Sequence, residues 1–522
     1  MRRLGYLLIT SAIVGLGAAP VQAAGPADPY PDPGFYINII GGGASFPSIA
    51  YREVFDCQYH PLGYDNVTGP GPRAINTNCP SAPYGTATGK GYIFVYYAPT
   101  GSGNGKSALK ANNNNTLTNP ISTTIPYTSG QLPNYPYPQS AGYHFSGSDD
   151  VWNLADQIAW EAPNGPKSKY GNMIQLPGVG GAVTIVLNGK DGAGSPLNQN
   201  GAAVSGSTSS INITRQAMCG IFAGKITTWD NPLLTASNGG VAMGSGQITV
   251  VHRFDGSGTN FLFTQALVAQ CATVTGPDYN VAGTPTVSYA FPWGDQSVCP
   301  ALPRGANRVN WPDQFPTVCG SSNPVPTGAA FTNPGVNGSQ AQVNQVVNTN
   351  GAIGYVSPDF TQPAVPTGPI TANLQNEWDV STNSSGSPTF VAPTLAATAA
   401  ALSSVTPVFD STSIGNPLAW SLQGVMPNPT LPAAYPIAGF SWLELYQCYN
   451  SGANMPVQIA DVLFGLYGSS AVEAIINSNG LVKVPNVWLT EIYNLLGNDN
   501  YRPQNTWENN PGNQCVGKVG AT

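Results

Sequence analysis

The stretch Val250–Thr264, VVHRFDGSGTNFLFT, changes character twice within a few residues. Ile248, Thr249, Val250, Val251 and His252 form a run rich in β-branched residues, which predicts a strand. Gly256, Ser257 and Gly258 interrupt it, and Phe263, Ala266 and Leu267 then recur at helical spacing. A strand that passes through a Gly/Ser turn into a helix is the repeating unit of α/β folds. The first turn of such a helix carries backbone N–H groups without intrahelical acceptors and the positive end of the helix dipole. The hydroxyls of Ser257 and Thr259 add donors, and Gly256 and Gly258 let an oxyanion come close. Arg253 supplies a charge-assisted, two-pronged contact. Asp255 is out of place beside an anion unless the ligand brings its own proton. Monohydrogen phosphate does so and sulfate does not, so the reading assigns Asp255 as a filter between them. An ordinary helix cap beside an ion pair has the same spacing, and that alternative stays open from this stretch alone.

Similar junctions recur along the chain. Tyr36 to Ile40 reads as a buried strand ending at Gly41-Gly42-Gly43, followed by Ser45, Phe46 and a helical pattern through Ile49, Ala50 and Val54. Tyr92 to Tyr97 is a second strand, leading into the loop Gly101-Ser102-Gly103-Asn104-Gly105. A third extended segment ends at Ser148-Asp149. Ala182 to Leu187 reads as one strand covered on both faces. Thr214 to Ala223 has helical spacing with Gly224 as its stop, and helices are expected at 457–467, 470–477 and 486–496. Residues 275–345 and 365–430 read as loop-rich. Each junction taken alone is equally a simple cap or turn, but several in one α/β chain fit ligand binding at the carboxyl ends of strands. Thr100 to Ser107, TGSGNGKS, resembles a nucleotide-binding loop with Thr in place of the first Gly, and it is set aside for an exported chain.

Export is read from the N-terminus. Met1-Arg2-Arg3, an apolar run from Leu4 to Ala19 and small residues at Val21, Ala23 and Ala24 predict a signal peptide over 1–24. No cysteine follows that run before Cys57, which disfavours a lipid anchor, and no later segment reaches about 18 consecutive apolar residues. The remaining chain exceeds a single core, so two lobes are expected. Charged residues make up 8% against roughly 25% in an average protein, and the net charge of −7 argues against a nucleic-acid partner. Eight cysteines at 57, 79, 219, 271, 299, 319, 448 and 515 suggest four disulfides, with neighbours in sequence paired as the working assignment among many connectivities. With no Cys-x-x-Cys spacing and three histidines, no metal and no cofactor are expected.

Several of these segments together resemble the phosphate-binding proteins of bacterial phosphate ABC importers. The resemblance is carried in order by GGGASFPSIAY, FSGSDD, QLPGVGGAVTIVLN, ITRQAMCGIFAGKITTWDNP, ITVVHRFDGSGTNFLFTQAL, GAIGYV and PIAGFSW. It implies an α/β, two-lobed periplasmic-binding-protein fold of the class II type with two crossover strands and long loop insertions. It implies high-affinity binding of inorganic phosphate in the periplasm or outside the cell, no catalysis, and delivery to an inner-membrane ABC permease. By motif match the phosphate-binding residues are Ser45, Phe46, Ser102, Asp149, Arg253, Asp255, Ser257, Gly258 and Thr259, with Asp149 helping to hold the Arg253 side chain. This chain departs from the family in having Ser45 for the usual Thr, GSGNG for the usual GSSGG, and insertions at 58–90, 107–140 and 275–345.

The expected organisation is a monomer with lobe one from 25–181 and 434–522 and lobe two from 182–433, closing about a hinge on the ligand. Two rivals are carried forward. One is a secreted phosphatase on the same scaffold, which needs an activated nucleophile or metal pair that His60, His144 and His252 do not suggest. The other is a surface or matrix protein, suggested by the Asn/Thr/Gly/Tyr-rich insertions.

Overall fold

The computed structural model describes residues 36–59, 92–114, 124–125, 135–136, 142–204, 206, 209–291, 311, 335–361, 368–383, 386–450, 455–509 and 511–522. The expected signal peptide, His60, most of the insertions at 58–90 and 107–140, Cys79 of the expected pair 57–79 and the cysteine pair 299–319 fall outside the described residues.

Two five-stranded sheets organise the chain. Sheet one runs in the order Tyr92–Ala98, Tyr36–Gly43, Phe145–Ser148, Ala438–Tyr446, Met173–Ala182. Its first three strands are parallel, and Ala438–Tyr446 lies antiparallel to both neighbours. Sheet two runs Ser210–Ile213, Ile370–Leu374, Thr184–Leu187, Ala352–Val356, Thr249–Val250. Its central strand Thr184–Leu187 is antiparallel to its neighbours and the outer pairs are parallel. Helices follow the parallel strands, so the carboxyl ends of both sheets carry strand-to-helix junctions. Both sheets are α/β layers with buried strands, as in Met173–Ala182, where all ten residues are buried.

The apolar run 182–187 is not one strand. Met173–Ala182 belongs to sheet one and Thr184–Leu187 to sheet two, with buried Val183 between them. The amide of Val183 donates to the carbonyl of Ile437 at 2.8 Å, so the outgoing and returning connections are bonded to each other between the sheets. A continuous apolar stretch shows that a segment is covered, not where it changes layer. The first strand, Tyr36–Gly43, includes all three of the glycines at which it was expected to end. Gly43 has φ +126°, and a Cβ there would lie 2.1 Å from the carbonyl oxygen of Gly147, so only glycine lets the two strands approach.

The expectation of a loop-rich 365–430 is corrected. The segment holds the strand Ile370–Leu374 and the helices Glu377–Thr382, Leu395–Leu402 and Pro417–Gly424. Asn376, Thr394 and Asn416 cap these helices by accepting from Asp379, Ala397 and Leu418 amides. Short helices without charged periodicity leave a weak pattern, and their caps are the clearer signal. The helices Leu395–Leu402 and Pro417–Gly424 pack on Met173–Ala182 of sheet one. The Gln175 side chain donates to Pro417 O and Ser421 Oγ, and Ser421 Oγ to Trp152 O. Residues 395–402 and 417–424, within the span expected for the second lobe, thus lie against sheet one. The loop-rich reading of 275–345 likewise missed the strand pair Thr275–Pro277 and Thr286–Ser288 and the start of the helix Ser339–Asn348.

Two disulfides lie among the described residues, Cys219–Cys271 and Cys448–Cys515. The first ties the helix Arg215–Phe222 to Gly258–Cys271, whose N-terminus carries the Ser257 junction. Among the described residues no single helix is long and apolar enough to cross a membrane.

Candidate functional site

Arg253 emerges just beyond the short strand Thr249–Val250. Val336 runs beside this segment, receiving the Phe254 amide at 2.8 Å and donating to His252 O at 3.1 Å. The guanidinium, 1% exposed, is pinned on one edge by Asp255, with Nε donating to Oδ1 at 2.6 Å and Nη2 to Oδ2. The Gly338 amide donates to the same Oδ1 at 3.1 Å. Its remaining nitrogen, Nη1, donates to Ser339 Oγ at 3.0 Å and Ser45 Oγ at 3.4 Å, and those two hydroxyls lie 3.0 Å apart. Burial works against the charge of both Arg253 and Asp255, but each stabilises the other, so Asp255 sits below the usual carboxylate range and Arg253 above its ordinary value.

This corrects the roles expected for the two aspartates. Asp255, not Asp149, holds the arginine side chain, and a carboxylate engaged on both oxygens has little left for a ligand's proton. Asp149 has the opposite environment. It is fully buried, and neither carboxyl oxygen has a hydrogen-bond partner. Burial pushes its pKa up to about 7; the nearby Ser441 and Thr259 hydroxyls and the Arg253 charge pull it down without overcoming that. The hydroxyls of Thr259, Ser441 and Tyr51 around it are also buried without a geometric hydrogen-bond partner. Burial, with the Asp149 charge added to it, holds the Tyr51 proton more tightly, and the Ser441 hydroxyl works the other way. A group of buried, unsatisfied polar atoms this dense demands a partner.

The remaining expected residues converge on the same place. Ser102 starts the helix Ser102–Ala111, and its Oγ accepts from the Asp149 amide at 3.2 Å. Ser257 caps the helix Gly258–Cys271 by accepting from the Asn260 amide at 3.2 Å. The plain capping role is thus real, and the hydroxyl hydrogen is still left to donate. Gly258 lies against the first lobe so closely that an added Cβ would stand 2.3 Å from Ser102 Oγ and 2.7 Å from Asp149 Cβ. Phe46 is wholly buried, with its ring against Gly181, which fixes the backbone next to Ser45. Helix starts from both sheets therefore meet at one point, with Arg253 and Asp149 among them.

The sequence reading missed Ser339, Tyr51 and Ser441. Ser339 follows Gly338 at a helix start, the same pattern as the other junctions, but in a segment read as loop. Ser441 sits inside the quoted PIAGFSW motif. Lys106 of TGSGNGKS faces inward: its Nζ donates to Asp150 at 2.7 Å, Asp156 at 3.1 Å and Val151 O at 2.7 Å. It braces the Asp149–Asp150 turn instead of presenting a cation at a loop.

A two-sheet fold whose halves are joined by two side-by-side connections, with an anion-compatible site where helix starts meet, defines a bilobal binding protein. The family model of the PBP superfamily domain matches residues 84–455, and the chain belongs to that superfamily. Among its relatives are a phosphate-binding protein from an unknown prokaryotic organism, 27% identical over 408 residues covering 76% of this chain and 86% of the relative. Alkaline phosphatase L of Pseudomonas aeruginosa strain UCBPP-PA14 is 27% identical over 402 residues, 76% of this chain and 81% of the relative. The phosphate binding protein of Stenotrophomonas maltophilia shares the fold at TM-score 0.56 and 22% identity, covering 93% of this chain and 99% of that one. A high affinity periplasmic phosphate-binding protein, solved with phosphate at pH 8.5, superposes at TM-score 0.55 and 25% identity over 88% of this chain and 94% of that one.

Proposed function

We propose that this protein binds inorganic phosphate between its two lobes and catalyses no reaction, serving uptake through an ABC importer after export to the periplasm or beyond the cell. The observation that carries the reading is the pairing of a pinned arginine with a free buried acid. Arg253, Ser45, Ser102, Ser257 and Thr259, with the backbone at Phe46 and Gly258, supply donors for phosphate oxygens. Asp149 supplies the acceptor for the proton that monohydrogen phosphate carries. Sulfate would face that carboxylate with no proton to offer, which costs about 1–3 kcal/mol for an unsatisfied buried acceptor. The phosphate-binding relatives support the same ligand.

Calorimetric titration of the mature protein tests this. Phosphate is expected to bind with sulfate at least tenfold weaker, and equal heats for both anions, or none for phosphate, end the proposal.

The relatives named alkaline phosphatase favour a second reading, hydrolysis of phosphoesters. Against it, His144 Nδ1 is used by the Ile40 amide at 2.9 Å, and its pKa is lowered by burial to about 4. His252 is stacked on Trp311 with Nδ1 at 3.1 Å from Arg253 O. Among the described residues no group of three or more His, Cys, Asp or Glu converges as metal ligands. A chromogenic phosphoester assay with and without chelator decides: turnover that stays with the pure protein would revive hydrolysis.

A further inference from the structure

Ser45 and Phe46 lie at the entry to the helix Ser48–Tyr59, and that helix start is gripped from the other lobe at a second point. The Ile49 amide belongs to the first helical turn, so it has no acceptor within its own helix. It donates instead to Oδ2 of Asp359 at 3.2 Å, a residue 310 positions away on the short turn Pro358–Phe360 that follows the sheet-two strand Ala352–Val356. Asp359 is 1% exposed, and its other oxygen, Oδ1, accepts from Ser357 Oγ at 2.6 Å. A carboxylate at a helix N-terminus is favoured by the dipole, and here the carboxylate and the helix belong to different lobes.

Resting on the phosphate reading, we infer that Asp359 is a positioning residue of the closed state: it caps the Ser48–Tyr59 helix across the lobes and so holds Ser45 and Phe46 against the ligand. It does not touch the ligand, and its contact exists only when the lobes are together. Opening the lobes breaks the Ile49–Asp359 bond along with the ligand contacts, so the residue slows release more than it speeds capture. Its burial and its share of the Asp149 field raise its pKa well above the usual range, which sets a cost on burying it as a charge. The two accepted hydrogen bonds offset only part of that cost.

The test uses the whole mature protein and inorganic phosphate. In the wild type, the Ile49 amide is expected to exchange slowly with deuterium when phosphate is bound and quickly when phosphate is removed. Asp359→Ala is expected to release phosphate roughly tenfold faster, with little change in association rate and an unchanged phosphate-to-sulfate ratio. Asp359→Asn, which keeps an acceptor oxygen, restores slow release. Equal Ile49 exchange with and without phosphate, or wild-type release from Asp359→Ala, overturns the inference. Should Asp359→Ala fail to fold, the wild-type exchange comparison decides by itself. A wild type that binds no phosphate in calorimetry overturns the function reading, and this inference with it, which is a different result from a binder whose Ile49 amide ignores the ligand.

Discussion

Asp149 and Asp255 are the same side chain put to opposite uses by their surroundings. Asp255 is saturated by Arg253 and the Gly338 amide, so its charge is fixed. Asp149 is buried with open acceptors, and its pKa near 7 means that below that pH the ligand-free protein carries it protonated. Accepting the proton of monohydrogen phosphate requires the ionised form. Phosphate affinity is therefore expected to climb as the pH rises from about 5 to about 8, and Asp149→Asn to flatten that profile and erase most of the preference over sulfate, by titration across pH. The folding linkage has the matching sign. An acid with a raised native pKa binds more protons folded than unfolded between about pH 4 and about pH 7, so the ligand-free protein loses stability across that window as pH rises. Asp255→Asn behaves differently: it loosens the guanidinium, weakening phosphate and sulfate together while leaving their ratio in place. A changed ratio in Asp255→Asn with an unchanged one in Asp149→Asn would reverse these roles.

Two elements present the lobe-one donors, and one buried cation joins them. Lys106, in the second turn of Ser102–Ala111, reaches under the site to Asp150, Asp156 and Val151 O, while Lys110 pairs with Asp156 at 2.5 Å from the next turn. Asn153 and Asp156 form a reciprocal cap on Leu154–Glu161, so the network runs from one helix start to the next. Removing one member of a buried ion network leaves the others uncompensated. Lys106→Met is expected to cost about 3–5 kcal/mol of stability. In a thermal melt it should fall well below Lys110→Met, whose lysine is 28% exposed. Equal melting temperatures for the two variants would mean that the Lys106 network contributes no stability of its own.

At the scale of the molecule, two connections pass between the sheets side by side at Val183 and Ile437, and the two halves meet at Ser45, Gly258 and Ile49. The disulfides lie apart from these connections. Cys219–Cys271 closes a separation of 52 residues and Cys448–Cys515 one of 67, each worth about 4 kcal/mol through restriction of the unfolded chain. Replacing Cys219 and Cys271 together by Ala is expected to lower the melting temperature while leaving phosphate affinity within about threefold, because the bond joins two helices of the same lobe. A large loss of affinity without a loss of stability would show that the bond shapes the site directly.

The chain by itself determined the α/β class, the strand-to-helix junctions and the residues gathered at them, because these are local properties. β-branched runs, Gly/Ser turns and helical spacing act over a few residues, and the motifs around Arg253 and Ser45 are continuous in sequence. Only the tertiary structure decided which aspartate holds Arg253 and which is left open, since Asp149 and Arg253 are set by different sheets. It alone revealed the split of 182–187 between two layers, the return of 395–424 to sheet one, and Ser339, Ser441 and Asp359 as neighbours of the site. Each of these depends on contacts between residues tens to hundreds of positions apart, and a local pattern carries no record of which distant surface it will meet.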